Sequence, residues 1–280
     1  RIVRSLLTSR DTGLDAGSTT YTLSATASLG DLALEHRIAS RHFSDVVSLP
    51  FGTELRRRLE SLVRPVAYAP AGLPVVLDPR GMASLIRGLA PAFSATAVAG
   101  GSFVSRYLGK ALASPHLHLT DDGGLSSGLY TLPFDACGVP PIAIALLKEG
   151  VVNSLYHDPE TARASGLRPT GHVRWDGSLS PSNLIIRPGS RTRNVILTEL
   201  RDYLMVDELP KINLFTGRID GPVIAQLVQG GTAVGIVRGT VATDISTLLH
   251  CVHELAADQE RSEEVDAPTT VFTGFAIQPP

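Results

Sequence analysis

The sequence predicts an α+β protein of mostly antiparallel sheet, part of it closing toward a barrel, with helices packed against it. Three observations predict this. Apolar residues alternate in short runs bounded by turn signals. A few stretches switch to helical spacing. The two kinds of element then follow each other without the strand–helix–strand rhythm of a parallel sheet.

Taken in order, Tyr21, Leu23, Ala25 and Ala27 fall on one side of a strand over 18–28. Leu32, Leu34, His36 and Ile38 do the same over 31–40, and Gly30-Asp31 between them signals a hairpin. Residues 54–63 set Leu55, Leu59, Leu62 and Val63 at helical spacing, with Thr53 as N-cap. Arg56, Arg57 and Arg58 in that helix read as a solvated face, the alternative being contact with nucleic acid or an acidic partner. Residues 64–72 hold two prolines and a glycine and read as a linker, which divides the chain into 1–68 and 69–280.

Beyond it, 73–77 is a short buried strand stopped by Asp78-Pro79, and 82–89 and 103–113 are helical. Leu117 and Leu119 alternate with His116, His118 and Thr120 as a strand. Residues 142–147 and 151–156 form a hairpin about Glu149-Gly150. A strand over 183–186 ends at Arg187-Pro188-Gly189, and 192–200 suits a helix. Strands follow at 203–206, 223–228 and 233–238, the last two joined by a turn at 229–232. Residues 244–257 read as an amphipathic helix with Ile245, Leu248, Leu249, Val252 and Leu255 inward. Residues 259–266 read as charged and exposed, and 270–277 as a closing strand.

Composition narrows the function classes. The chain has 280 residues, 43% hydrophobic and 19% charged, with net charge −2. That is ordinary globular composition, large enough to need no disulfide or structural metal. The near-neutral balance, without a basic stripe, argues against direct binding of nucleic acid. No apolar run approaches the roughly 18 residues of a membrane span, and no secretory signal opens the chain. Cys137 and Cys251 make no disulfide framework, so a reducing, cytoplasmic setting is expected. The first residue is Arg1 rather than Met, which suggests that an upstream part is missing. Only three of the 25 Lys and Arg residues are Lys, and that skew suggests a GC-rich, actinobacterial genome.

Local chemistry offers no complete mechanism. His250 and His253, three apart on the expected helix with Cys251 and Glu254, could share a metal ion or merely decorate the helix. His116 and His118 near Asp121 and Asp122 carry the same pair of readings. Cys137, in a loop after Asp135, could be a reactive thiolate, but no base adjoins it in sequence. No nucleophile elbow, phosphate loop or dinucleotide fingerprint is present.

A series of blocks carries a family resemblance. Gly128 to Pro140, with Pro133-Phe134-Asp135-Ala136-Cys137-Gly138-Val139-Pro140 at its end, resembles a G-x-x-x-x-P-F-D-x-E-G-V-P block. Leu146 to Asp158 resembles the hairpin L-x-x-x-G-V-L-x-S-Y-L-x-D. Thr161-Ala162 with Pro169-Thr170-Gly171-His172-Val173-Arg174, and then Pro181-Ser182-Asn183-Leu184 to Pro188-Gly189, follow in the same order. Asn213, Thr216-Gly217 and the Asp244 segment with Leu248-Leu249 complete it. The chain thereby resembles the TldD/PmbA family.

That family has two pairing branches. The TldD-like branch carries an H-E-x-x-x-H helix and a later cysteine as metal ligands, and the TldE-like branch lacks them. Here the corresponding helix reads Leu85-Ile86-Arg87-Gly88-Leu89-Ala90-Pro91-Ala92-Phe93, and Thr216-Gly217-Arg218-Ile219-Asp220 lacks cysteine. The resemblance therefore implies a TldE-like chain with no metal or other cofactor of its own, the zinc sitting in a TldD-like partner subunit. It implies a heterodimeric, protease-like hydrolase acting on peptides or on small amide or N-glycoside intermediates of antibiotic pathways. It also implies that 1–68 is the remnant of an N-terminal α+β domain and 69–280 the central and C-terminal domain. The residues it points to in a substrate groove are Asp135, Gly138, Thr170, Gly171, Arg174 and Asn183. Arg174 could fork onto a carboxylate or make a surface ion pair. One departure stands out: the family's D-x-E-G is Asp135-Ala136-Cys137-Gly138 here, which leaves the loop's role open. Two other readings are a homodimeric binding or scaffold protein and an autonomous hydrolase using Cys137 or the His250/His253 pair.

Overall fold

The computed structural model describes residues 2–7, 13–29, 32–47, 52, 55–56, 66 and 72–278. The helix expected over 54–63 and the linker over 64–72 lie almost entirely outside them. Two antiparallel hairpins come first: β1 (Ile2–Leu7) with β2 (Gly13–Ser18), and β3 (Tyr21–Leu29) with β4 (Leu32–Ser40). Leu29 stands opposite Leu32, and the Gly30-Asp31 turn signal lies outside the described residues. The first hairpin left no clear mark in the sequence, because Gly13 and Gly17 interrupt its alternation. Helix α1 (Phe43–Val47) follows.

Strand β5 (Val75–Leu77) ends at Asp78, whose carboxylate caps α2 (Pro79–Leu89) by accepting from the Gly81 N–H at 2.7 Å. Proline at the first helical position suits that start. After α3 (Ala95–Ala99), the helix expected over 103–113 is only a 3-10 turn, Phe103–Tyr107. It stops because Gly109 turns left-handed (φ 69°) and sends 108–111 alongside the next hairpin.

Strand β6 (Leu119–Asp122) is followed by β7 (Ala143–Lys148) and β8 (Val151–Val152), then α4 (Pro159–Ser165), β9 (Leu184–Ile186) and α5 (Arg193–Leu200). Strands β10 (Tyr203–Val206), β11 (Arg218–Gln229) and β12 (Thr232–Asp244) come next. The β11–β12 hairpin turns at Gly230-Gly231 as expected, but it is far longer than its apolar core.

The long helix expected over 244–257 is two elements, α6 (Ile245–His250) and β13 (Val252–Leu255). All five residues assigned inward are buried. The mistake lay in their conformation. The register of β13 shifts between Val252 and Glu254, and this bulge lets Val252 and Leu255, three apart, face the same interior. A bulged strand thus imitates helical spacing. The segment 259–266 is likewise not a bare exposed run. It forms a hairpin of β14 (Glu260–Ser262) and β15 (Val265–Ala267), with Glu264 and Val265 buried. Strand β16 (Thr270–Phe272) closes the fold.

These strands assemble into two six-stranded sheets, in the orders β12-β11-β10-β5-β16-β13 and β14-β15-β9-β6-β7-β8. Only the β5–β10 and β9–β15 pairs are parallel. Both sheets stay open, with no closed barrel among the described residues. The main core lies between them: Val75 and Leu77 from one sheet meet Leu119, Leu146 and Leu184 from the other, with the apolar side of α2 inserted. Val76 points the opposite way and packs with Tyr203, Val271 and Ile196 of α5, so the first sheet is covered on both faces.

Candidate functional site

The middle of the second sheet holds a buried carboxylate. Strand β6 alternates Leu119 and Asp121 inward, so Asp121 enters the core where an apolar residue would be expected. Four donors converge on it. Oδ2 accepts from the Tyr156 hydroxyl at 2.8 Å and the Ser182 N–H at 2.8 Å. Oδ1 accepts from the Asn183 N–H at 2.9 Å and from the Ser182 hydroxyl. His172 brings Nε2 within 3.5 Å of Oδ1 and stacks its ring 4.9 Å from that of Tyr156. Burial, the largest single influence, pushes the Asp121 carboxyl up. His172 and Ser182 together outweigh it and hold the group below the ordinary carboxylate value. Burial and then Asp121 raise the Tyr156 hydroxyl well above its usual range.

Ser182, His172 and Asp121 have the composition of a hydrolase triad but not its wiring. In a triad one imidazole nitrogen takes the serine proton and the other donates to the acid. Here Nε2 alone faces both partners, at 3.4 Å from Ser182 Oγ and 3.5 Å from Asp121 Oδ1, and the serine hydroxyl donates to Asp121. His172 Nδ1 is buried without a hydrogen-bond partner. The cluster ties β6, the 170–174 segment and the 181–183 turn together, with the serine hydroxyl held by Asp121 rather than aligned on the imidazole for attack.

Most residues selected from sequence belong to the same region. Asp135 Oδ1 accepts from the Cys137 and Val139 N–H groups, each at 2.9 Å, and Oδ2 from Val173 at 3.1 Å, so the carboxylate is spent on shaping the loop. Asn183 accepts from the Tyr130 N–H and donates to the Asp122 carbonyl and Thr131 Oγ1. Thr170 Oγ1 exchanges hydrogen bonds with both backbone groups of His157. Gly138 and Gly171 are left-handed (φ 76° in both), and a Cβ would lie 2.8 Å from Leu6 Cδ2 at Gly138.

Two hollows adjoin these residues. Asp135, Gly171 and Arg174 line a pocket of about 50 Å³ together with Arg4, Tyr130 and Trp175. Thr170 lines a larger hollow of about 530 Å³ beside β7, β8 and α4. The exposed side chains Leu108, Ile142 and Leu167 give that hollow an apolar lining, and a buried His157 with an unpartnered Nδ1 lies among them. A hollow of that size suits a small molecule or one or two peptide side chains. Gly138 and Asn183 line neither hollow.

The alternative chemical centres separate. His250 ends α6 with its Nδ1 on the Ser246 carbonyl at 2.7 Å, and His253 lies on β13, so the two do not share a helical face. His118 Nδ1 faces the Glu149 N–H at 3.4 Å on the side of Arg187, away from the buried Asp121. Among the described residues no group of three or more His, Cys, Asp or Glu could hold a metal ion. Where the family resemblance expects metal-ligating side chains, α2 buries Met82, Ala83, Leu85, Ile86 and Leu89, so its residues do not fit a zinc ion. The Cys137 thiol is pushed up by burial and then by Asp135 and Asp158, the reverse of an activated thiolate. Iodoacetamide should therefore modify Cys137 more slowly at neutral pH than it does a free cysteine. A rate faster than free cysteine would contradict that environment. No helix among the described residues is long and apolar enough to cross a membrane.

Two open six-stranded sheets with helices packed against them make an α+β fold of mostly antiparallel sheet. The model of the PmbA/TldA metallopeptidase C-terminal domain matches residues 70–279, and the chain belongs to that family. It is 27% identical over 215 residues to an uncharacterized protein of Methanocaldococcus jannaschii, covering 72% of this chain and 50% of that one. Over 107 residues it is 30% identical to a metalloprotease of Methanothermobacter thermautotrophicus, covering 37% of this chain and 23% of that one. TldE from Thermococcus kodakarensis shares the fold with a TM-score of 0.80 at 21% identity, over 99% of this chain and 66% of that one. So does a Thermotoga maritima protein described as a candidate modulator of a DNA gyrase, with a TM-score of 0.82 at 22% identity over 94% and 63%. The chain thus spans half the length of the jannaschii relative and under two thirds of these solved ones.

Proposed function

We propose that this chain is the metal-free, TldE-like half of a two-chain hydrolase. A TldD-like partner holds zinc and cleaves the substrate, while this chain completes and shapes the groove. The substrate class is an extended peptide or a small amide or N-glycoside intermediate of antibiotic biosynthesis. The observation that carries the reading is α2, whose buried face is wholly apolar where a catalytic branch would present imidazoles and a carboxylate. The fold shared with a chain named TldE supports it. Within this chain the substrate surface is the apolar hollow by Thr170, and the Gly171–Arg174 segment that follows in sequence lines the smaller pocket. Asp135 and Asn183 act as supports of the neighbouring loops, since their polar atoms are engaged within the fold.

Hydrolysis of an unfolded peptide by a TldD-like partner should require this chain, and Ile142→Arg in the hollow should raise KM while leaving the two subunits associated. Equal hydrolysis by the partner with and without this chain would refute the proposal.

A further inference from the structure

The 50 Å³ pocket has an electrostatic character that the groove reading does not use. Its charged lining is Arg4, Arg174 and Asp135, and the oxygens of Asp135 are already engaged by three backbone N–H groups. Arg174 donates to the Pro181 carbonyl and lies 4.7 Å over the Tyr130 ring. Among the described residues no carboxylate comes within ion-pair distance of it. Asp121 and Glu264 act on it only from further off. Arg4 lies 6.0 Å over Trp175, likewise without a carboxylate partner among the described residues. His172, buried on the pocket wall, keeps Nδ1 without a partner while Nε2 faces Asp121 and Ser182. Two half-buried guanidinium groups thus share one small hollow, and neither has a carboxylate partner among the described residues.

We propose that this pocket is a carboxylate subsite, in which Arg174 and Arg4 receive a carboxylate of the bound peptide. The inference rests on the reading that the chain binds peptide. Size is compatible: at roughly 10–15 Å³ for each water-sized position, the space takes a carboxylate end group. Guanidinium suits the ligand because its planar fork matches the two carboxylate oxygens. The aromatic faces of Tyr130 and Trp175 hold the forks in place and limit the freedom lost on binding.

Trp175 is the only tryptophan in the chain and lines the pocket, so its fluorescence reads occupancy directly. The chain, alone and paired with its partner, would be titrated with N-acetyl-dialanine, with the C-terminal amide of the same dipeptide, and with inorganic phosphate. A saturable change is expected with the free acid, at least about tenfold tighter than with the amide or phosphate. Arg174→Gln should abolish that difference and Arg174→Lys should restore part of it. Equal binding of acid and amide would overturn the carboxylate subsite while leaving peptide binding intact. Equal binding of phosphate would mean an anion site without preference for peptide, and no response to any of the three would mean no subsite; either overturns the proposal. Hydrolysis that still depends on this chain would, in all of these cases, keep the supporting-subunit reading separate.

Discussion

Replacing Asp121 with Ala is expected to destabilise the chain by about 3–5 kcal/mol, the usual cost of breaking a buried, hydrogen-bonded charge network. The substitution strands two backbone N–H groups, the Ser182 hydroxyl and the Tyr156 hydroxyl in the interior at once. Asp121→Asn should cost nearly as much, since its amide NH₂ would face donors on every side. Tyr156→Phe removes only one donor and should cost about 1 kcal/mol. Urea denaturation of the three variants checks the order, and an Asp121→Ala loss no larger than that of Tyr156→Phe would refute the convergent network. The pH dependence follows from the same carboxylate. Its folded value lies below the unfolded value of about 4, so its stabilisation is complete above that pH and declines as pH falls through the folded value. Asp121→Asn should therefore flatten the acid limb of the stability profile below about pH 4.

The second large effect is expected at Gly171. Its backbone is left-handed (φ 76°), and an added Cβ would lie 2.4 Å from Pro141 Cα and 2.6 Å from the Pro140 carbonyl oxygen. Backbone atoms cannot yield as a flexible side chain can. Left-handed strain together with overpacking should cost Gly171→Ala about 2–4 kcal/mol. The same shift would move His172 and Arg174, so the Trp175 response to a free carboxylate should vanish with it. Gly177→Ala, also left-handed but with open space around it, serves as the control and should cost less. Equal losses at the two glycines would show that the close approach to Pro141 contributes nothing.

Much of the fold was legible because local and tertiary preferences agree. Gly230-Gly231 between two alternating runs announces the β11–β12 hairpin, and Asp78-Pro79 announces the end of β5, although α2 begins at Pro79 rather than at Met82. The segment 244–257 misled because a bulge gave strand residues the spacing of a helix. The family blocks point to residues around the Asp121 cluster, but not to Asp121 itself. Asp121 receives its donors from 35 to 62 residues further along the chain, and no local pattern encodes that meeting. Its phase with Leu117 and Leu119 was the available signal, an acid on the inward side of a strand. Asp135 and Asn183 looked like binding residues because polar side chains in glycine-rich loops can face either solvent or backbone, and here they face backbone. No local pattern connects Arg4 with the pocket, whose other lining residues lie more than a hundred positions further along the chain.

The central claim is that this chain shapes a groove whose zinc belongs to its partner. Metal analysis of the purified chain, and of its complex with a TldD-like subunit, tests it most directly. The account predicts no stoichiometric zinc in the lone chain and one equivalent per heterodimer. A full equivalent of zinc retained by the lone chain would contradict it.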